Sequence, residues 1–345
     1  MKNQSGPKYT FVLGAIDEEM TQISKLIRQL PASMTMVRYA TVNGTGVTSS
    51  NAYQADYTQD IALAVEFGQL RENEKGKLVL VECGFSLDQV KLTGKGVKVL
   101  DHHREGDWGF DRPARDAIRA SSLGQFLRFL AQENLLKFLK DATLLPVTEA
   151  TSTVKKQAGL VSIEKGQLQV TGYQGIYVLP IDLAYIAALD HNPGAVYQGN
   201  VPGLNPAKAV AFRNELRAKF KGITVAELDK LMRRARAMMR KAPVVDIAGK
   251  PVVDLRGMKV PDSHEVSAQD GIAVMYSLMD KSGRKKEGII GATEDVIDVW
   301  MSTAEFGGLS DIYGAPARGY AGGYRPYDVA LAANKLAGKF NAALQ

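Results

Sequence analysis

The chain has one cysteine among 345 residues, Cys83, so no intramolecular disulfide can form and a reducing compartment is no obstacle. It lacks any apolar run of the roughly 18–20 residues that a membrane span needs. The opening MKNQSGPKYTFVLGA has too short an apolar stretch for a secretory signal, so a cytoplasmic location with no membrane partner is expected. Low-complexity tracts and internal repeats are absent. Histidine is scarce as well: there are four, and His102 and His103 are adjacent.

What remains is an ordinary globular composition, 45% hydrophobic and 23% charged, long enough for two domains. The net charge of +6 favours anionic partners without naming one.

Apolar runs alternate with helical patterns in the first half. Tyr9–Ala15 reads as a buried strand, followed by Asp17-Glu18-Glu19 and a helix through Ile23, Leu26, Ile27 and Leu30. Val37–Val42 reads as a strand and Ala52–Phe67 as a helix. Lys77–Val81 and Gly96–Leu100 read as strands, and Ser122–Leu139 as a helix. The alternation predicts an α/β fold with a mostly parallel sheet, whose ligands bind beyond the carboxyl ends of the strands. Three of those strands run into acids: Asp17 with Glu19, Glu82, and Asp101. Converging carboxylates are costly unless a cation neutralises them.

The region from about 145 to 245 reads as mostly helical. Thr224-Val-Ala-Glu227 is a capping box opening a basic helix through Lys241. Its Arg233, Arg234, Arg236 and Arg240 suit either a nucleic-acid backbone or a solvated face. Beyond Pro243, strands are expected at Val253–Leu255 and Ile272–Met279. A turn at 281–284, a return strand at Glu287–Gly291 and a helix from Thr293 to Phe306 follow. The Gly-rich loop Tyr313–Tyr324 and a last helix complete a smaller α+β domain.

The segment GVKVLDHHREGDWGF, a strand ending in Asp101-His102-His103 with a Ser-rich helix start soon after it, resembles the signature of the DHH phosphoesterase superfamily. The resemblance implies a DHH-like domain over 1–195, a helical connector over 196–242 and a DHH-associated-like substrate domain over 243–345. It also implies metal-dependent hydrolysis of a phosphodiester in a nucleotide or single-stranded nucleic acid. Asp101, His102 and His103 would form the catalytic segment. His102 would bind metal, His103 would contact the scissile phosphate, and Asp101 would orient both histidines. Asp17, Glu19, Glu82 and Asp190 would complete the metal ligands, with Asp182 as a rival to Asp190. Mn²⁺ is the expected cofactor, with Mg²⁺ the substitute, as one or two ions. Arg104, Arg318, Gly322 and Gly323 would hold the substrate's phosphates.

The chain departs from the family pattern at three places. Leu13 replaces a histidine, Glu19 an aspartate, and Glu82 an aspartate. An inactive nucleotide-binding relative and a nucleic-acid-associated structural protein are the alternatives. The substrate (DNA, RNA, cyclic dinucleotide or pyrophosphate) and the oligomeric state stay open.

Overall fold

The computed structural model describes residues 8–42, 45–46, 77–83, 97–103, 105–145, 158–279, 284–304 and 307–325. The helix expected at Ala52–Phe67, most of the 281–284 turn and the last helix lie outside these residues, as does Arg104. The chain divides into two compact units, 1–221 and 222–345.

The first unit opens with β1 (Tyr9–Leu13), α1 (Glu18–Ile27), β2 (Thr35–Tyr39) and a short hairpin of β3 (Thr41–Val42) and β4 (Thr45–Gly46). Then come β5 (Lys77–Val81) and β6 (Val97–Leu100). Strands β1, β2, β5 and β6 form a parallel sheet in the order β2-β1-β5-β6. A central parallel strand is covered on both faces and so reads as a continuous apolar run. Accordingly β1 is buried along its whole length, whereas the edge strand β2 is half-exposed.

Two helices follow, α2 (Ala117–Ala120) and α3 (Ser122–Gln132). Ser121 caps α3 by accepting from Gly124 N at 3.0 Å, where the sequence placed a helix start. Phe126 and Phe129 of α3 meet Phe11 and Tyr9 of β1 edge-on, with centroids 5.6–6.0 Å apart. Burying an aromatic such as Phe11 contributes on the order of 2–3 kcal/mol, so this contact fixes α3 against the sheet. The helix is shorter than expected. It stops at Gln132, Asn134 turns with a positive φ, and a 3-10 turn occupies Leu136–Phe138.

The reading of 145–245 as mostly helical is corrected. An antiparallel sheet fills its first part: β7 (Thr143–Leu145), β8 (Val161–Glu164), β9 (Gln167–Gly172) and β10 (Gly175–Leu179), in the order β7-β10-β9-β8. Its strands alternate with period two. Leu168 and Val170 are buried opposite Leu179 and Tyr177. Lys165-Gly166, both at positive φ, makes the tight β8–β9 turn. Helices resume with α4 (Asp182–His191), α5 (Pro193–Tyr197) and α6 (Pro206–Lys221).

The second unit opens with α7 (Val225–Met239), and its capping box is formed as expected: Thr224 Oγ accepts from Glu227 N, and Glu227 accepts from Thr224 N. Strands β11 (Val244–Ile247) and β12 (Lys250–Asp254), α8 (Ser263–Asp270), β13 (Val274–Met279), β14 (Lys285–Ile290) and α9 (Glu294–Ala304) follow. With β15 (Ser310–Ala315) and β16 (Tyr320–Tyr324) they make a six-stranded sheet, order β11-β12-β13-β14-β16-β15. Val296, Ile297 and Trp300 of α9 pack on Val252, Met275, Ile289 and Ala321. The segments expected as a connector divide between the units, α6 in the first and α7 in the second.

The Gly-rich stretch is not an open loop. Gly322 and Gly323 lie in β16, hydrogen-bonded between β14 and β15. Tyr276, Gly288, Gly322 and Tyr313 stand in one row across four strands. A Cβ on Gly322 would lie 2.5 Å from Tyr313 Oη, and one on Gly288 would lie 2.7 Å from Tyr276 Oη. These glycines make room for tyrosine rings laid across the sheet.

Candidate metal centre

The carboxyl ends of β1, β5 and β6 lie side by side, because the three strands are parallel neighbours. Each delivers an acid. Beyond β1 the chain turns at Gly14, whose N donates to Val81 O at 2.8 Å. A Cβ on Gly14 would sit 1.8 Å from Glu82 O, so only glycine allows the two strand ends to close together. Asp17 then caps α1, its Oδ1 accepting from Met20 N at 2.7 Å. Glu19 in the first turn is fully buried, with Oε1 accepting from Leu123 N at 2.8 Å.

Glu82 ends β5 in a left-handed conformation, φ 48°. For a residue with a side chain this costs of order 1–3 kcal/mol, a strain that clusters at functional sites. It leaves the Glu82 side chain 3% exposed. Among the described residues, no hydrogen-bond donor meets Glu82 Oε1 or Glu19 Oε2, both buried.

Asp101 organises the end of β6. Its Oδ1 accepts from His102 N at 2.7 Å, His103 N at 3.1 Å and the His103 ring Nδ1 at 2.8 Å. Its carbonyl accepts from Gln125 Nε2 at 2.7 Å and Gly109 N at 3.3 Å. His102 is fully buried, whereas the His103 side chain is 37% exposed. The Asp190 Oδ2 to His102 Nε2 distance is 3.3 Å. His191, the next residue, stacks edge-on against His102 with centroids 5.1 Å apart.

Ligand atoms of Glu19, Glu82, His102 and Asp190 all lie within 4.8 Å of one another, and Glu82, His102 and His103 form a second such set. Four of the five expected ligands therefore converge. Asp17 is beside the cluster, close enough for its charge to act on Asp190. Asp182 is two turns of α4 away, about 12 Å of helix rise, so of the two rivals Asp190 is the one in the cluster. Arg318, Gly322 and Gly323 belong to the second unit.

The charges show why this cluster suits a cation. Burial and then the Asp190 charge push Asp17 up to about 6. Burial pushes Glu82 to about 8, with His103 pulling the other way. Burial and the neighbouring Asp190 and Glu82 hold Glu19 well above the usual carboxylate range. Burial also raises Asp101 and Asp190, but their histidine partners overcome it and both sit below the usual value. Burial would lower His103, yet the Asp101 hydrogen bond and the Glu82 charge carry it to about 9. Burial thus disfavours the ionised form of these carboxylates, and a divalent cation would favour it. Two donor-less carboxylate oxygens, a buried imidazole and a third carboxylate at mutual ligand spacing fit such an ion.

Four contributors carried little sequence signal. Gly14 and Gly109 act by having no Cβ, Gln125 by gripping a carbonyl 24 residues away, and His191 by packing. Only His191, adjacent to Asp190, could have been singled out. No family model and no curated protein matches this chain.

Proposed function

We propose that this chain is a metal-dependent phosphoesterase that hydrolyses phosphodiester bonds of a nucleotide or nucleic-acid substrate. The observation that carries the reading is the set Glu19, Glu82, His102 and Asp190 at the carboxyl edge of a parallel sheet. That edge is where open α/β sheets bind their ligands. The likeness of the Asp101-His102-His103 segment to DHH phosphoesterases supports it, since the ligands it implicates largely coincide with those that meet in space. Mn²⁺ suits the mixture of imidazole and carboxylate, with Mg²⁺ the weaker fit.

Glu19, Glu82, His102 and Asp190 would hold a divalent ion, which would supply charge neutralisation for phosphoryl oxygens and lower the pKa of a water. The chain's own groups do the rest. Asp101 accepts from His103 Nδ1, which fixes the imidazole and leaves Nε2 as the nitrogen that would meet a substrate oxygen. From there His103 donates to an oxygen of the scissile phosphate. Asp101 also holds both histidine amides, so the His102 ring is set before any ligand arrives. Glu19, tied to Leu123 N, and Glu82, held by its strained backbone, give their remaining oxygens fixed positions.

The test is turnover of a generic aryl phosphodiester, single-stranded DNA, short RNA, a cyclic dinucleotide and pyrophosphate with Mn²⁺. Hydrolysis of at least one phosphodiester, lost in chelator and in His102→Ala, is expected. Mn²⁺ binding without turnover of any of them overturns the enzyme reading.

A further inference from the structure

Next to the carboxylate–histidine cluster, the first unit holds a cavity of about 390 Å³ lined by Trp108, Arg119, Gly124, Arg128, Gly159 and Leu160. That size lies in the range of small-ligand sites. Its chemistry is unusual for a surface hollow. Trp108 is 42% exposed. The guanidinium carbons of Arg112 and Arg128 lie 5.4 and 5.2 Å from its ring centroid. Arg112 is anchored by its Nε donating to Trp108 O at 2.9 Å. Arg119 pairs with Asp116, but among the described residues neither Arg112 nor Arg128 faces a carboxylate. Burial and the Arg128 charge hold the nearby Lys98 ammonium below the usual lysine value. Two guanidinium groups thus flank an exposed indole, an arrangement that can hold an anion beside an aromatic ring.

Two glycines shape the hollow. Gly159 has φ 95°, and a Cβ there would lie 2.9 Å from Arg128 Cγ. A Cβ on Gly124 would lie 1.7 Å from Ile118 O. A third glycine joins the hollow to the metal centre. Gly109, next to Trp108, donates to Asp101 O, and a Cβ on it would lie 2.6 Å from His102 Cβ. Gly124 of the hollow adjoins Gln125, which grips the same Asp101 carbonyl.

We propose that this hollow binds one nucleotide of a single-stranded nucleic acid, its base against Trp108 and its phosphate between Arg119 and Arg128. As a substrate subsite this rests on the phosphoesterase reading; as a binding site it does not. Inorganic phosphate would use the arginines but leave the indole idle. A duplex keeps its bases stacked on each other, whereas a single strand can offer one to an aromatic ring.

The chain has two tryptophans, and the second, Trp300, is buried in the other unit. Trp300→Phe therefore leaves Trp108 as the only indole reporter, and the native chain against Trp108→Phe gives the same signal by difference. Titration in chelator with a short oligodeoxythymidylate should quench Trp108 saturably. Arg128→Ala should weaken that binding roughly tenfold or more. Thymidine and pyrophosphate should each bind at least about tenfold more weakly than the oligonucleotide. Absent quenching, quenching indifferent to Arg128→Ala, or pyrophosphate binding as tightly as the oligonucleotide overturns the proposal. Because chelator removes the metal, quenching without any Mn²⁺-dependent turnover sinks the phosphoesterase reading and upholds the hollow; turnover without quenching does the reverse.

Discussion

The buried ring of His102 points its Nε2 at Asp190 Oδ2, 3.3 Å away. The two residues are 88 positions apart, one after the last parallel strand and one in the last turn of α4. Either substitution removes a donor from the four-residue set. His102→Ala and Asp190→Asn are each expected to weaken Mn²⁺ binding at least 10–100-fold. Calorimetric titration with unchanged circular dichroism would establish this; native-like affinity in both variants would show that the ion sits elsewhere.

Glu82 tests the length of the ligand. Glu82→Asp withdraws the carboxylate by one methylene, more than an ångström, at a site whose ligands work over a few tenths. The variant should fold, since the φ of 48° suits Asp at least as well as Glu. Mn²⁺ affinity and any turnover should both fall. A gain in either would mean that the site was waiting for the shorter side chain.

The pH dependence follows from the same residue. Glu82 rises from 4.5 to about 8 on folding and Asp17 from 3.8 to about 6. The folded protein therefore binds these protons more tightly than the unfolded chain. That stabilisation is complete below the unfolded values and is lost as pH rises through about 6 and then about 8. In chelator, the melting temperature should decline between pH 5 and 9, less so in Glu82→Gln. With Mn²⁺, which needs the ionised carboxylates, the metal-induced rise in melting temperature should grow over the same range. A flat difference between the two conditions would count against these ligands.

Gly14 and Gly322 separate site from scaffold. Gly14→Ala drives a methyl group into Glu82 O, and overpacking of this kind costs roughly 1–3 kcal/mol or more. It should lower the urea midpoint and the Mn²⁺ affinity together. Gly322→Ala pushes against Tyr313 Oη and should destabilise the second unit with no effect on Mn²⁺. If Gly322→Ala instead melts normally and loses only nucleotide binding, the glycine serves a ligand and not the tyrosine row.

The first sheet was legible because its strands are short, apolar and bounded by acids, so pattern and position carried the same message at Tyr9–Leu13, Lys77–Val81 and Val97–Leu100. Asp190, named ahead of its rival Asp182, is the one of the two that lies in the cluster. The antiparallel sheet was missed because strands of three to six residues are too brief to set period two against a helical background. The Gly-rich hairpin was misread because glycine marks an open loop and a tyrosine-covered strand equally well. Gln125 and Gly109 were invisible because what they do depends on a carbonyl and a Cβ that only the folded chain brings near them.

The candidate metal set draws on residues 19, 82, 102 and 190, a span of about half the chain. No contiguous piece of fewer than about 170 residues contains all four donors, so the ion cannot template an early folding step. Contacts so remote in sequence form slowly, after most of the loop-closure entropy has been spent. Divalent ions should therefore slow unfolding of the first unit and leave its refolding rate nearly unchanged. A chain released from synthesis before α4 would have three donors and no high-affinity site, so the ion would discriminate finished copies from truncated ones.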